Sequence, residues 1–345
     1  MPEPIRTQIL RSTAELEAFV PTWRDLWEAD PHATPFQHPA WLLPWWHQFG
    51  QPELRAAVLS HGAEPIGLLP LYIYPEVRTG KRKLLPLGAG TTDYLDGVFH
   101  PQCTVGEVRN ALDLLAEDSG WDLLDLLQLR SGSPLAEALA AMPAAQPSAS
   151  LPCWRMPAFA VSELPVKVRR NAMYYRNRAA RQGVLSLEFA EAATVASTFH
   201  ELVLLHTERW REAGEPGVLA DPRVLAWHRE ALPRLHAAGL LRLCALRREG
   251  ETLAVAYALA DPPSRAERGV GRTEYVYIQA YSPKHAHLRP GTVLLALAME
   301  RAAQEGIRTI DMLRGDEGYK KLWHGSPVAT LGYRLHRRMH AAQAA

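Results

Sequence analysis

The chain has 345 residues, 47% of them hydrophobic, which is enough for two or three domains with a large core. Its formal net charge of +1 excludes a general attraction to nucleic acid or membranes, so such partners would need a local patch. The three cysteines are far apart and lack metal-ligand spacing. We expect a cytoplasmic protein that binds no metal and does not insert into a membrane, since the start has no signal-peptide pattern and no long apolar run follows.

The first 50 residues predict helices rich in aromatic side chains. Thr13 to Trp27 has helical spacing interrupted by Pro21, and Pro35 to Gly50 contains three of the ten tryptophans. A cluster this dense is typical of core packing. We therefore interpret the two histidines within it, His38 and His47, as structural.

A series of strands and one helix follows. The predicted elements are two turn-linked strands, Arg55 to Ser60 and Pro65 to Tyr74, a strand at Leu84 to Leu87, a helix at Val105 to Glu117 and a strand from Trp121 to Arg130. The loop before the helix carries Asp93 and Tyr94, which we take as candidate substrate-binding residues.

The stretch Ser131 to Pro165 is rich in Pro, Ala and Ser, and it predicts a linker with one short helix at Pro134 to Ala141. We accordingly predict a first domain over residues 1–150 and a second over residues 151–345.

The second domain begins with a basic helix, Lys167 to Arg181, which has six cations and two adjacent tyrosines, Tyr174 and Tyr175. Three interpretations stay open. The helix is a solvated face with Arg stems lying over the core, or it meets an RNA backbone with the tyrosines stacking on bases, or some of its arginines bind an anionic acceptor.

Two further helices are predicted, Thr198 to Gly214 and Leu225 to Ala238. In the first of them His206, Arg209 and Trp210 are three and four residues apart, so they share one face. On spacing alone, His206 is a hydrogen-bonded boundary histidine.

The C-terminal third predicts a strand, a loop, a helix and a second strand. Thr273 to Ala280 alternates β-formers, and Ile307 to Leu313 is a mostly apolar strand typical of a buried parallel partner. The helix between them runs from Thr292 until Gly306 stops it.

The loop before this helix is a candidate anion site. Backbone N–H groups at a helix start lack partners and the dipole is positive there, so phosphates bind at such positions. Arg289 adds a fixed charge beside it, and Gly291 has no Cβ to block close approach. The alternative is an ordinary βαβ crossover with no ligand.

The segment AYSPKHAHLRPGTVLL resembles the pyrophosphate-binding turn of the GNAT acyltransferases. DMLRGDEGYKKLW resembles the ending of the CelD-like branch, relatives of the Fem-type aminoacyl transferases, and TPFQHPAWLLPWW and VRRNAMYYRNRAARQG agree with that branch. The resemblance implies an α/β (α+β) fold of two tandem GNAT-like units with mixed central sheets flanked by helices.

An internal repeat supports two copies of one unit. Three pairs of matching positions have nearly constant offsets: Arg55 and Arg242 (242 − 55 = 187), Thr104 and Gly291 (291 − 104 = 187), and Asp125 and Asp311 (311 − 125 = 186). Glu107 in the first copy would repel a phosphate at its helix start. The second copy is therefore the predicted donor half and the first a degenerate one.

The resemblance implies acetyl-CoA or another acyl-CoA as co-substrate and assigns the site residues. The cofactor-binding candidates are Gln279, Ala280, Tyr281, Arg289, Gly291 and Thr292. The catalytic candidates are Asp316 and Glu317 as bases in a partly buried cleft and Tyr319 near the CoA sulfur. The substrate-binding candidates are Asp93, Tyr94, His206, Arg209, Trp210, Arg314 and Lys320. The alternative is that this segment begins a short helix, with Asp316 as its cap and Glu317 as an anion in its first turn.

Two classes of function follow. The first is an N-acyltransferase acting on a small-molecule or polysaccharide-related amine bound between the two units, with an aminoacyl-tRNA donor as a variant. The second is a non-catalytic paired fold that acts as a binding module, because the loop before Gly291 is poor in glycine.

Overall fold

The computed structural model describes residues 5–50, 53–158, 161–267, 269 and 271–337. Its contacts divide the chain into two compact units: the described residues up to Leu151 with those from Ala329 form the first, and Pro152–Val328 forms the second. The start of the first predicted domain (residues 1–4), the end of the second (residues 338–345) and residues 159–160 of the predicted linker lie outside the described ranges. Within those ranges no helix is long and apolar enough to cross a membrane.

The first unit combines short helices with two sheets. Its helices are α1 (Thr13–Ala18), α2 (Val20–Ala29), α3 (Pro39–Phe49), α4 (Val105–Glu117) and α5 (Pro134–Ala140). Its strands are β1 (Ile5–Leu10), β2 (Ala56–His61), β3 (Glu64–Leu69), β4 (Leu71–Pro75), β5 (Arg82–Pro86), β6 (Val98–Phe99), β7 (Leu123–Arg130), β8 (Ala145–Ser148) and β16 (Thr330–His336). The sheet orders are β1-β2-β3-β6 and β4-β5-β7-β16-β8.

The second unit is built on one seven-stranded mixed sheet. Its helices are α6 (Val166–Ala180), α7 (Val195–Glu212), α8 (Pro222–Ala237), α9 (Pro263–Glu267), α10 (Pro290–Gln304) and α11 (Gly318–Leu322). Its strands are β9 (Cys153–Pro157), β10 (Leu185–Phe189), β11 (Leu241–Arg248), β12 (Glu251–Ala260), β13 (Arg272–Tyr281), β14 (Ile307–Arg314) and β15 (Ser326–Val328). The order is β10-β11-β12-β13-β14-β9-β15, with β13 and β14 parallel.

Two of the predicted elements are each divided in the structure, and a proline lies at or close to both divisions. The predicted strand Pro65 to Tyr74 divides into β3 and β4 at Pro70, which has no N–H for a ladder. The predicted helix Thr13 to Trp27 divides at Phe19, and Pro21 then lies in the first turn of α2, where proline is tolerated.

The predicted linker is largely structured. It contains β8, which pairs with β16 in the first unit, and β9, which pairs with β14 in the second. The second unit ends at Val328 rather than running to residue 345, because β16 lies between β7 and β8. The sheet of each unit therefore includes a strand from a distant part of the chain: β16 in the first unit and β9 in the second.

The two sheets repeat one arrangement around a buried aspartate. In the first unit Asp125 of β7 is in register with Arg334 of β16, whose Nε donates to Oδ1 at 3.1 Å. In the second, Asp311 of β14 is in register with Arg155 of β9, whose Nε donates to Oδ2 at 2.7 Å. The predicted offset of 186 between the aspartates thus corresponds to equivalent cross-strand ion pairs.

Candidate active site

The sheet of the second unit opens between its two parallel strands. β13 pairs with β14 only from Arg272 to Tyr275, whereas it pairs with β12 as far as Tyr281. Beyond Tyr275 the ladder between β13 and β14 ends among the described residues, so the two strands diverge and the sheet opens there. The diverging part of β13 includes Gln279 and Ala280, two of the predicted cofactor-binding residues.

Two local features shape the opening. The register of β12 and β13 shifts between Tyr257 and Ala258, which leaves Tyr277 as the extra residue of a bulge that twists β13. On the other side β14 bends at Leu313, whose φ is +56°. Asp311 holds this bend because its Oδ1 accepts the Leu313 N–H at 2.8 Å. Asp311, which the sequence analysis used only for the repeat, thus shapes the site together with Arg155, which the sequence analysis did not single out.

The opening leads to the start of α10, where few N–H groups are free. Arg289 takes the left-handed conformation (φ +45°) immediately before the helix. The N–H groups of Thr292 and Val293 both donate to the Arg289 carbonyl, at 3.0 and 3.3 Å, and Pro290 has none. Gly291 therefore supplies the N–H that remains available in this first turn.

Two arginines stack on tyrosines around this helix start. The Arg289 guanidinium carbon lies 5.2 Å from the ring centre of Tyr175, and that of Arg209 lies 5.1 Å from Tyr281. A Cβ placed on Gly291 would lie 3.5 Å from Cδ1 of Tyr281. The structure therefore brings together Tyr281, Gly291 and Arg209, three of the predicted site residues.

Lys320 does not lie where an acceptor would contact it. It is 2% exposed, and its Nζ donates to the carbonyls of Leu313, Arg314 and Gly315 at 3.3, 2.7 and 3.4 Å. A fourth contact, at 2.8 Å, goes to the Glu317 carboxylate. The ammonium holds the loop after β14, which corrects its predicted role as a substrate ligand.

The side chains of the two predicted bases, Asp316 and Glu317, are exposed to solvent. The Asp316 side chain is 77% exposed and pairs with Lys321, and the Glu317 side chain is 56% exposed. The expectation of a partly buried cleft is therefore wrong for both. Glu317 is the N-cap residue of α11 but makes no side-chain capping bond, so the alternative that Asp316 caps this helix is also wrong.

Tyr319, on α11, is 40% exposed. Burial, with a smaller contribution from the Glu317 carboxylate and an opposing one from Arg209, raises the pKa of its hydroxyl to about 12. At neutral pH the phenol is protonated and available as a proton donor.

His206 and Trp210 lie under a tight turn. His206 is 4% exposed, and its Nδ1 has no hydrogen-bond partner among the described residues. Burial lowers the pKa of His206 to about 4, and Arg209 adds to the effect. Gly217 has φ +70°, and a Cβ there would lie 2.6 Å from the imidazole and 2.7 Å from Trp210. His206 is therefore neutral and packed rather than open to a ligand.

The predicted site residues of the first unit are buried. Asp93 is 4% exposed and Tyr94 1% exposed. The Tyr94 carbonyl accepts a hydrogen bond from Gln37, and its ring lies 5.7 Å from the Arg130 guanidinium. Both belong to the packed interior of that unit, so substrate contact by either would need the loop to open.

The helix start of the first unit is occupied by its own carboxylate. Glu107 accepts the Thr104 N–H at 2.6 Å and contacts His61 at 2.6 Å. Burial alone would raise the pKa of Glu107, but the hydrogen bonds from Thr104 and His61 lower it overall. An anionic ligand would have to displace this carboxylate, whereas the start of α10 has no equivalent.

Comparison with known proteins finds a likeness in the second unit. Residues 166–321 match the family model described as an acetyltransferase (GNAT) domain. The matched segment contains β13, α10 and β14, so the opening and the helix start described above lie within it. No curated protein sequence matches the chain significantly.

Solved structures extend the likeness to nearly the whole chain. FemX is similar with a TM-score of 0.64 at 12% identity, over 95% of this chain and 96% of that one. The C-terminal domain of a putative lysylphosphatidylglycerol synthetase from Agrobacterium fabrum gives 0.59 at 11% identity, over 95% and 92%. A tandem GNAT protein from the clavulanic acid biosynthesis pathway gives 0.51 at 15% identity, over 97% and 100%. At these identities the likeness concerns the fold, and it confirms mixed sheets flanked by helices in two GNAT-like units.

Proposed function

We propose that the protein is an N-acyltransferase that moves an acetyl or other acyl group from acyl-CoA to an amine. The observation that carries the proposal is the opening beyond Tyr275, which ends at a helix start flanked by two arginines. A thioester arm lying along the free edge of β13 would place its phosphates at α10. Gln279 and Ala280 would line its path.

The proposed reaction needs three groups. A base removes one proton from the acceptor ammonium, and the amine nitrogen attacks the thioester carbonyl carbon. Backbone N–H groups on the free edge of β13 stabilise the oxyanion that forms. The oxyanion then collapses and the C–S bond breaks. The leaving thiolate takes a proton from an acid, and the nitrogen loses its second proton, which restores that acid, so that the products are an amide and free CoA.

We assign the acid to Tyr319, since its hydroxyl stays protonated at neutral pH and it is partly exposed. We assign the base to Glu317, two residues away, with Asp316 as the second candidate. For the acceptor we keep Arg314, which is partly exposed at the end of β14.

The test is thiol release from acetyl-CoA with a panel of primary amines. The wild type is expected to release CoA with at least one amine, and Tyr319→Phe to lower kcat about 10- to 100-fold with KM for acetyl-CoA nearly unchanged. Turnover with any amine excludes the alternative of a non-catalytic binding module. Absence of turnover together with absence of CoA binding would contradict the proposal.

A second candidate donor, aminoacyl-tRNA, is favoured by one observation on α6. Lys167, Arg170, Tyr174, Arg178 and Arg181 are spaced by three or four residues and so form one stripe along the helix. The helix has no acidic residue, and within the described chain its cations form no ion pairs. Tyr174 in the middle of the stripe is 58% exposed. Cations around an exposed ring suit a phosphate backbone with a stacked base.

A gel shift with charged tRNA tests this variant. An RNA donor predicts binding that weakens steeply with salt and is lost in Arg170→Glu/Arg181→Glu. Arg229→Glu, an exposed arginine on α8, is the control and should leave binding unchanged. Equal weak binding by all three proteins would exclude this variant.

A further inference from the structure

The start of α10 cannot hold a diphosphate with backbone groups alone. Two of its first N–H groups are used by the Arg289 carbonyl and Pro290 has none, which leaves that of Gly291. A diphosphate ester carries two negative charges, so side-chain cations must supply most of the attraction. The structure offers two guanidinium groups in suitable positions.

The first is that of Arg289. Its left-handed backbone (φ +45°) directs an exposed side chain away from the helix, and its guanidinium rests on Tyr175 of α6. A stack on an aromatic ring fixes the plane of a guanidinium and leaves its N–H edge free for oxygen acceptors.

The second is that of Arg209, on the last turns of α7. It rests on the ring of Tyr281, the last residue of β13, and that ring approaches Gly291. This arrangement repeats the first one with different elements, and the Tyr281 ring places it beside the first turn of α10.

Both tyrosines pack against the same hydrophobic cluster, which contains Val293 and Leu294 from the first turns of α10. The two guanidiniums are thereby held at the same end of that helix. Neither arginine forms an ion pair with a carboxylate in the described ranges. The nearby Glu251 is already engaged, at 2.9 Å, by Lys284 and His285.

We propose that Arg209 and Arg289 form a two-arginine clamp for the phosphates of the acyl donor, each held in place by its tyrosine. The inference rests on the proposed transferase function and assigns Arg209 to the donor instead of the acceptor. The shared ligand chemistry is a phosphate ester close to an acyl group, which the diphosphate of acyl-CoA or the terminal phosphates of aminoacyl-tRNA would both supply.

Isothermal titration of the full chain with CoA and with pantetheine, which lacks phosphates, separates the roles. Arg209→Gln and Arg289→Gln are each expected to raise the Kd for CoA about tenfold or more. Neither should change the Kd for pantetheine more than about twofold. Arg211→Gln, an exposed arginine two residues along α7, is the matched control and should bind CoA as the wild type does.

The stacks are tested separately. Tyr281→Phe keeps the ring and should retain CoA affinity, while Tyr281→Leu should weaken it to nearly the level of Arg209→Gln. Loss of folding in the leucine variant would appear in its melting curve, and the phenylalanine and arginine variants then decide the result.

The outcomes distinguish this inference from the proposed function. If the wild type binds CoA and Arg209→Gln binds it equally well, the clamp is wrong and the acyl-CoA proposal stands. An equal loss of CoA and pantetheine in Arg209→Gln would also overturn the clamp, because the arginine would then act at the thioester end. If the wild type binds no CoA, the acyl-CoA proposal fails, and charged tRNA becomes the probe. Weaker binding of charged tRNA by Arg209→Gln than by Arg211→Gln then supports the clamp, and equal binding overturns it.

Discussion

At the scale of single residues, Lys320 shows how a charged side chain can serve a site without contacting its ligands. Its ammonium is buried and bound by three carbonyls and one carboxylate, so the loop between β14 and α11 closes around it. The sequence showed a lysine beside a catalytic candidate. The sequence could not show that the loop between β14 and α11 folds around Lys320, because this fold depends on the left-handed backbone of Leu313.

Lys320→Met should therefore destabilise the second unit by about 2–4 kcal/mol, since it leaves buried carbonyls without a donor. Lys321→Met is the matched control. Its partner Asp316 is exposed and its ammonium lies 5.4 Å from the ring of Trp154, so it should cost at most about 1 kcal/mol. Urea denaturation of both variants compares them. Equal costs would show that the buried ammonium contributes no more to stability than the exposed one.

His38 gives a pH dependence at the same scale. It is buried, and its Nδ1 accepts the Ala40 N–H at 3.0 Å to cap α3. Burial, with a smaller effect of Arg24, lowers its pKa to about 3 from an ordinary 6.5. A base whose folded pKa is lowered binds fewer protons when folded, so its contribution is intact above pH 6.5 and lost as pH falls toward 3.

We expect wild-type stability to fall by about 1.4 kcal/mol for each pH unit below 6.5 through His38 alone. His38→Asn keeps a capping side chain and removes this titration. Denaturation curves of the full chain between pH 5 and 7.5, followed by tryptophan fluorescence, should show a shallower pH slope for the variant. Identical slopes would mean that His38 does not titrate in this way.

At the scale of elements, the turn before α8 fixes two predicted site residues. Gly217 lies against His206 and Trp210 with a positive φ, and no other residue type fits that contact without displacement. Gly214, three residues earlier, also has a positive φ (+78°), but a Cβ there would meet nothing within 4 Å.

This pair compares a crowded glycine with an open one; Gly217, with ψ 158°, also has a backbone conformation that is adopted almost only by glycine. Gly214→Ala should cost about 1 kcal/mol from its φ alone, and Gly217→Ala about 1–3 kcal/mol more because its methyl group overlaps two rings. Thermal unfolding measures the difference. The interpretation of His206 as a packed histidine would be contradicted if the two variants melted at the same temperature.

The elements also show what the sequence could predict. β13, α10 and β14 were predicted because alternation, helical spacing and a stopping glycine all occur there together. β8, β9 and β16 were not, since their composition is mixed and they are strands only through partners far along the chain. Strands that depend on distant pairing carry little local signal.

Within the candidate site the same limit applies. Arg289 and Gly291 were predicted because they precede a helix. Arg209 was predicted as a substrate residue, but its stack on Tyr281 depends on how α7 meets the end of β13, which spacing along the chain does not encode. The prediction that Asp316 and Glu317 lie in a partly buried cleft was wrong for the same reason, because spacing along the chain does not encode their exposure.

At the scale of the whole molecule, the two units repeat the same cross-strand ion pair but differ at the start of the helix that precedes it. In the first, Glu107 closes the start of its helix by accepting hydrogen bonds from Thr104 and His61. In the second, the equivalent place carries Gly291 beside two stacked arginines. The cross-strand arrangement repeats, whereas the proposed phosphate-ester site is assigned to the second unit alone.

Hydrogen–deuterium exchange with and without acetyl-CoA tests this asymmetry most directly. The proposed site predicts protection confined to the free edge of β13 and the start of α10, residues 276–293, with no change in residues 84–107 of the first unit. Protection of 84–107, or none in 276–293 at saturating acetyl-CoA, would contradict the assignment of the second unit as the donor half.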